Sequence, residues 1–433
     1  MQLNEQQRLR LAAATLSLLG VAGVKPAAAQ EPAAPEKPWT FDTGLLLYKE
    51  GNGRVQAIEP VLNASFNLGG ERLLSAGLVF DSLSGASPNG AAPAHTAQTF
   101  SSPSGGGQTY TTAAGKTPLD DTFHDQRVAA NLGYQFPLSH DSKLGLGLRG
   151  SSEYDFTSFG ANAHYSLDLN QKNTTLGAGV SFEYDQVRPV GGAPQPLSHM
   201  GAGGGGGDDE EGGSSKNKNL VDLLLGVTQV LDSKSLLQLN YSLGLSSGYQ
   251  TDPYKVVSVV DANANPLYYL YESRPDKRTK HALYAEYKRF AFDRDVLDFS
   301  YRFFTDSWGI NAHTLSLSYR WNFSEAFHLQ PSLRFYRQNA ADFYHFALFS
   351  GEDAGLRYAS GDPRLGAFTG LTGGLQFGQQ LRNGDSWNVR LEYYKQRGQS
   401  SDIPAQAAAA YSGLPTAPDM SAVILSMGYR FNW

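Results

Sequence analysis

The residues that could do chemistry in this sequence are arginines and carboxylates spaced at every second position of long runs. Arg149 and Glu153 share one parity with Gly145, Gly147 and Ser151, while Leu144, Leu146 and Leu148 hold the other. Arg320 follows Thr314, Ser316 and Ser318 on one parity, against Leu315, Leu317 and Tyr319. Arg127, Arg302, Arg334, Arg390, Arg430, Glu183, Asp298 and Glu392 sit in similar runs. A period of two places such residues on one face of a strand. Two kinds of chemistry are open to charges lined up this way. In a water-filled lumen, opposed charges set a transverse field that selects solutes. In a filled lumen they satisfy one another, because buried charges need partners.

A second charged group is the run Asp208-Asp209-Glu210-Glu211, set between Gly203–Gly207 and Gly212-Gly213. Its composition predicts a disordered, solvated loop. Four adjacent carboxylates are also weak candidates for capturing divalent cations, although the spacing is not that of an EF-hand.

Catalytic patterns do not emerge. The nine histidines form no His-x-x-x-His or similar metal pair. Gly115-Lys116-Thr117 has Tyr110 where a phosphate loop needs its first glycine, and no strand–helix context surrounds it. No Gly-x-Ser-x-Gly elbow occurs. The sequence therefore nominates no catalytic, cofactor or metal residues, and the expectation is a protein that is not an enzyme. A formal net charge of −6 without a basic stripe argues against nucleic-acid partners.

The elements that must position the charges are strands. Sixteen alternating segments are predicted: 39–49, 54–67, 72–82, 122–137, 143–155, 158–170, 174–187, 218–231, 235–249, 279–292, 296–305, 310–323, 327–339, 366–382, 386–397 and 420–433. Each is near or above the roughly 9–11 residues that a tilted strand needs to cross a bilayer. Short polar connections and long ones alternate. The long ones are 83–121, 188–217, 251–278, 340–365 and 398–419, and all follow odd-numbered strands. An even-stranded membrane barrel with both ends on one side requires that segregation. The expected fold is an all-β transmembrane antiparallel barrel of about sixteen strands over residues 39–433, with its charged parity facing the lumen. A mean hydropathy of −0.36 beside 12% aromatic residues suits it, since lumen and loops are polar while aromatic girdles ring the exterior. Tyr134, Phe136, Trp321, Phe323, Phe431 and Trp433 are expected in the girdle at the short-turn end.

The ends of the chain fit export to an outer membrane. Residues 1–29 read as a cleaved signal peptide: Arg8 and Arg10, an apolar run from Leu11 to Val24, then Ala27-Ala28-Ala29. Residues 30–38 form a Pro/Ala linker. The last strand carries Ser426, Gly428, Phe431 and Trp433. It resembles the C-terminal signal by which bacterial outer-membrane barrels are recognised for insertion.

Four stretches give a more specific likeness: Asp81–Ala91, Thr99–Gly105, Asp252–Ser258 and Arg274–Arg278. With them the chain, from about Trp39 to Trp433, resembles a family of proteobacterial outer-membrane proteins catalogued as domain of unknown function 3570. The resemblance implies a barrel and an outer-membrane location in a Gram-negative cell, without implying a mechanism. Two functions are expected to compete. One is a channel or transport conduit with a charged lumen. The other is a closed barrel that docks a protein partner at its loops or periplasmic face. Outer-membrane lipid and the barrel assembly machinery are the remaining partners expected, and no cofactor is.

Overall fold

The computed structural model describes residues 37–101, 109–201, 215–292, 294–417 and 419–433. The predicted signal peptide, most of the linker and the run Asp208 to Glu211 lie outside the described residues.

Sixteen antiparallel strands close into a barrel. In chain order its first half is β1 Trp39–Glu50, β2 Gln56–Gly69, β3 Arg72–Pro88, β6 Leu119–Ser139, β7 Ser142–Ser152, β8 Phe156–Leu169, β9 Thr174–Val187 and β10 Lys216–Asp232. The second half is β11 Ser235–Gly248, β14 Lys277–Ala291, β15 Asp295–Asp306, β16 Asn311–Arg320, β17 Phe327–Gln338, β19 Phe368–Gln380, β20 Ser386–Gly398 and β21 Met420–Asn432. Among the described residues, five shorter strands lie inside the long connections: β4 Gln98–Ser101, β5 Thr109–Thr112, β12 Val256–Val260, β13 Pro266–Tyr271 and β18 Leu348–Phe349. Alternation had marked these segments only as loop.

Each barrel strand pairs with its neighbour in sequence, and β21 closes the ring on β1 from Thr40↔Asn432 to Glu50↔Ala422. Closure leaves no unpaired strand edge. Boundaries shift by a few residues from the sequence expectation. β3 runs on to Pro88 and β6 begins at Leu119, so the first long connection is 89–118. β16 stops at Arg320, and Trp321 makes only an isolated bridge to Leu329. The short connections, such as Gly70-Glu71 and Ser233-Lys234, gather at one end of the barrel, here the turn end. The long ones gather at the other, the loop end.

The wall follows the period of two. Leu132, Leu148, Phe159, Phe182, Leu225, Leu283, Leu317 and Leu391 face outward and are 45–60% exposed. So broad an apolar surface on a folded chain needs a cover, and for a barrel that cover is lipid. At the turn end aromatic rings meet on the outside: Trp39 lies 4.7 Å from Phe66, Phe41 lies 5.0 Å from Phe431, and Tyr134 lies 5.4 Å from Phe136. Trp321 and Phe323 are 5.6 Å apart in the same ring. Flat amphipathic rings at one height are what an interfacial girdle requires.

The buried apolar core is not in the middle of the wall. It lies at the loop end, where the long connections fold together.

Candidate functional site

Among the described residues, four of the five hydrophobic clusters draw on the long connections. One joins Ala92, Val260, Ala264, Phe346, Ala347, Ala407 and Tyr411, and so ties four of those connections to each other. A second packs Val257, Val259, Leu270, Leu348 and Ala359 around β12. A third sets Phe100 against Tyr110 at 5.4 Å and Tyr269 at 4.9 Å, with Met200 at its edge. All five long connections therefore enter one assembly, which we call the cap. β12 is its centre. Every residue of Val256–Val260 is buried; the strand pairs antiparallel with β13, and Val259 and Val260 also pair parallel with β18.

The cap is seated inside the mouth. Its remaining cluster contains Phe343, Tyr344 and Leu365 from the fourth long connection, together with Ala282, Phe304, Ala312, Tyr336 and Phe368 from five neighbouring barrel strands. Those strand positions share the inward parity of Arg302, Ser316 and Arg334. Across the barrel, the Tyr254 hydroxyl donates to Asp155 at the β7–β8 bend, 2.6 Å away. Anchors on opposite walls mean that the cap spans the opening. Close approach of three backbones makes this possible. A side chain at Gly361 would meet the Gly90 carbonyl oxygen at 2.2 Å and that of Val256 at 2.8 Å, so glycine is needed there.

A dry ion cluster fastens the cap. Arg364 donates to Asp362 at 2.8 Å and to Asp252 at 2.9 Å. Arg274 donates to Asp362 at 2.8 Å and to Glu272 at 3.0 Å. The Lys255 ammonium donates to the Pro88 carbonyl, and Ser360 donates to Glu272. Glu272 and Asp362 have side chains 0% and 1% exposed. Burial works to raise the Asp362 carboxyl, but the guanidiniums of Arg364 and Arg274 outweigh it and hold the group well below the usual carboxylate range. Burial pushes Glu272 up, against the pull of Arg274. It pushes the Lys255 ammonium down, against Asp252.

Below the cap the lumen wall carries the charges that alternation nominated. Arg149 pairs with Glu183 across Gly160. Arg430 pairs with Asp42 at 2.6 Å, on the seam between β21 and β1. Asp298 meets Lys288 at 3.5 Å. Arg390 donates to Gln376 at 2.9 Å, and the Arg320 guanidinium lies 3.1 Å from His328 Nδ1. Arg334 stands in register with Ser316 and Thr372, and Glu392 with Gly374. Nearer the cap, Arg127 pairs with buried Asp81, and Arg302 stacks over Phe304 at 5.5 Å. Glu153 sits at the β7–β8 bend, its amide donating to Phe156 at 2.7 Å. Many of the lower side chains stay wet: Arg149 is 44% exposed, Lys288 40% and Arg430 36%.

In the last strand, Ser426 and Gly428 share the inward parity of Arg430, while Phe431 points outward against Phe41. Trp433 follows on the outward side and is 73% exposed. Among the described residues, no group of three or more His, Cys, Asp or Glu is arranged to hold a metal ion. Sequence reasoning missed the fastening cluster altogether, along with the partners Asp42, Asp81 and Lys288. Asp42 and Lys288 share the inward parity of their own strands, so alternation carried that much.

Solved structures with a similar fold include a bacterial polysaccharide outer membrane secretin, 8% identical, at a TM-score of 0.47 over 92% of this chain and 99% of that one. A ferric enterobactin receptor from Pseudomonas aeruginosa is 9% identical, at 0.45 over 86% of this chain and 56% of that one. A mutant of the monoaromatic hydrocarbon channel TodX is 10% identical, at 0.39 over 92% and 91%. No curated protein sequence matches. The profile of a sequence family described as "Protein of unknown function (DUF3570)" matches residues 8–431.

Proposed function

We propose, from the premise that this chain belongs to the DUF3570 family, that it is an outer-membrane conduit whose mouth is held shut by its own loops. The observation that supports this is the division of one lumen into two solvent regimes. A barrel of sixteen strands is wide enough for an aqueous channel unless something fills it. Here the filling is concentrated at the loop end, and charged side chains below it remain hydrated. Passage needs only displacement of the cap, whereas a barrel packed along its length would have to be rebuilt.

In this proposal the apolar belt meets the lipid of a Gram-negative outer membrane, the loop end faces outward and the turn end faces the periplasm. Residues 1–29 direct export. The assembly machinery reads Ser426, Gly428, Phe431 and Trp433. The protein is not an enzyme, and Arg149, Glu183, Lys288, Asp298 and Arg430 act as charges that bias which solutes pass.

Planar-bilayer recording tests the proposal. The wild-type barrel should conduct rarely, and deletion of residues 343–360 should give a steady conductance. Heat-modifiable migration on a gel would show that the variant is folded. A wild-type barrel that is fully open would remove the cap's role. A folded deletion variant that stays silent would favour the second function, a closed docking platform. The cap's own apolar clusters give that alternative its support, because they make a rigid outer face that a partner protein could recognise.

A further inference from the structure

Charge on the outer wall is one-sided. From β14 round to β1, the outward strand positions at the loop end carry Lys277, Arg337, Lys395, Arg397 and Lys49, and no carboxylate. Outward positions at the same end of β2, β3 and β6 to β11 carry no lysine or arginine. Three of the five cations converge. Arg337 on β17 and Arg397 on β20 are both in register with Thr369 on the strand between them. Two strand spacings separate the guanidiniums' backbones, about 10 Å. Lys395 lies two residues below Arg397 and is in register with Leu371. Both arginines are exposed, and among the described residues neither makes an ion pair. Lys395 reaches only Asp419, at 3.8 Å.

What lies beneath is as telling. The next outward positions toward the membrane are Phe335 and Leu371, 39% and 49% exposed, with Tyr393 below them at 54%. A ligand that meets this surface therefore finds cations above and hydrocarbon contact directly below. Guanidiniums match phosphate geometry with paired donors, and cations near an anionic lipid surface are drawn to it.

We propose that Arg337, Lys395 and Arg397, with the Thr369 hydroxyl, form a site on the lipid-facing wall for the phosphorylated headgroup of an outer-leaflet saccharolipid. Its acyl chains lie on Phe335, Leu371 and Tyr393. The site rests on the barrel being embedded in the outer membrane with its loop end outward. It would hold the protein at a set height and rotation against the leaflet, because the outward strand positions of the other half of the rim carry no lysine or arginine.

Native mass spectrometry of the full-length barrel in detergent tests the site, with bis-phosphorylated lipid A, dephosphorylated lipid A and inorganic phosphate as separate probes. Wild type should retain bis-phosphorylated lipid A and should lose affinity for the dephosphorylated form by roughly tenfold or more. Inorganic phosphate should not compete at millimolar levels. The R337Q/R397Q variant should lose the preference, and K277Q, on the same rim but off the cluster, should keep it. Heat-modifiable migration reads folding for each, and R397Q alone serves if the double variant does not fold. Equal binding of both lipids by wild type, or an undiminished preference in R337Q/R397Q, overturns the site. Competition by inorganic phosphate would make it a free-anion site and overturns the lipid assignment. A wild-type protein that never shows a heat-modifiable fold in lipid or detergent fails at the embedding step instead, and that failure falls on the conduit as well.

Discussion

The cap and the lumen wall solve the same problem with opposite solvation. Both hold opposed charges. In the cap, Asp362 at 1% exposure is shared by two arginines. On the wall, Arg430 and Asp42 meet at 2.6 Å while 36% and 20% of their side-chain surfaces stay exposed. A buried cluster resists the loss of one partner, because the partner left behind is stranded without water. A hydrated pair loses little, because water replaces the missing partner and screens the remaining charge. The difference teaches where rigidity was placed. The cap is a fixed body, and the wall below it is a surface of hydrated charges.

The largest expected effect tests that contrast directly. Arg364→Gln leaves Asp362 and Asp252 short of donors in a dry site and should destabilise the cap by about 3–5 kcal/mol. Protease sensitivity of the long connections should rise while the barrel itself stays heat-modifiable. If the barrel unfolds together with the cap, the two regions are not separable.

Next comes the wall's outside against its inside. Leu317→Arg puts a charge against hydrocarbon and should cost roughly 2–4 kcal/mol in a lipid-refolding assay. Ser316→Arg points into the lumen and should cost much less. The reverse order would contradict the register in which Leu317 pairs with Leu333 and Ser316 with Arg334.

Smaller again is the response to acid. Asp362 titrates below its ordinary value, so its contribution is present above the usual carboxylate pKa of about 4 and is lost only as the pH falls below that. Glu272 is shifted the other way, so it weakens the cap as pH rises from about 4 through its raised value, and acid relieves that cost. The two carboxylates agree that the cap should be no weaker at pH 5 than at pH 7, with the depressed Lys255 ammonium acting in the opposite sense. Limited proteolysis at the two values checks this, and faster cleavage at pH 5 would show that other groups fasten the cap.

The smallest effect is predicted for the lumen. Arg430→Gln should change stability by about 0–1 kcal/mol, with altered ion selectivity once the cap has been deleted. A loss comparable to that of Arg364→Gln would erase the distinction between the two regions.

The wall was legible because each strand repeats one rule. Leu315, Leu317 and Tyr319 against Ser316, Ser318 and Arg320 state both faces of β16 within six residues. The cap obeys no local rule. Val256–Val260 is buried on both sides, so its side chains do not alternate, and β18 is two residues long. Its fastening residues come from Asp252, Arg274 and Arg364, which lie far apart in sequence, and charges meeting at such separations leave no periodic trace. A hint was present nonetheless. Two of the four stretches that carried the family resemblance, Asp252–Ser258 and Arg274–Arg278, contain Asp252, Tyr254, Lys255 and Arg274. The lumen partners fell between these cases. Alternation put Arg149 and Glu183 on inward faces, but it took the barrel's register to bring them together.

The seam between β21 and β1 also sets an order of events. The Thr40 hydroxyl donates to Asn432 at 2.8 Å across a separation of 392 residues. Contacts that distant must wait for nearly the whole chain, and topologies dominated by them fold slowly. The ring cannot close before the final strand is present, and any sheet formed earlier carries two free edges. Such edges invite pairing with other chains. The cap's seat is built from β14, β15, β16, β17 and β19, so that seat is complete only when those strands are in register.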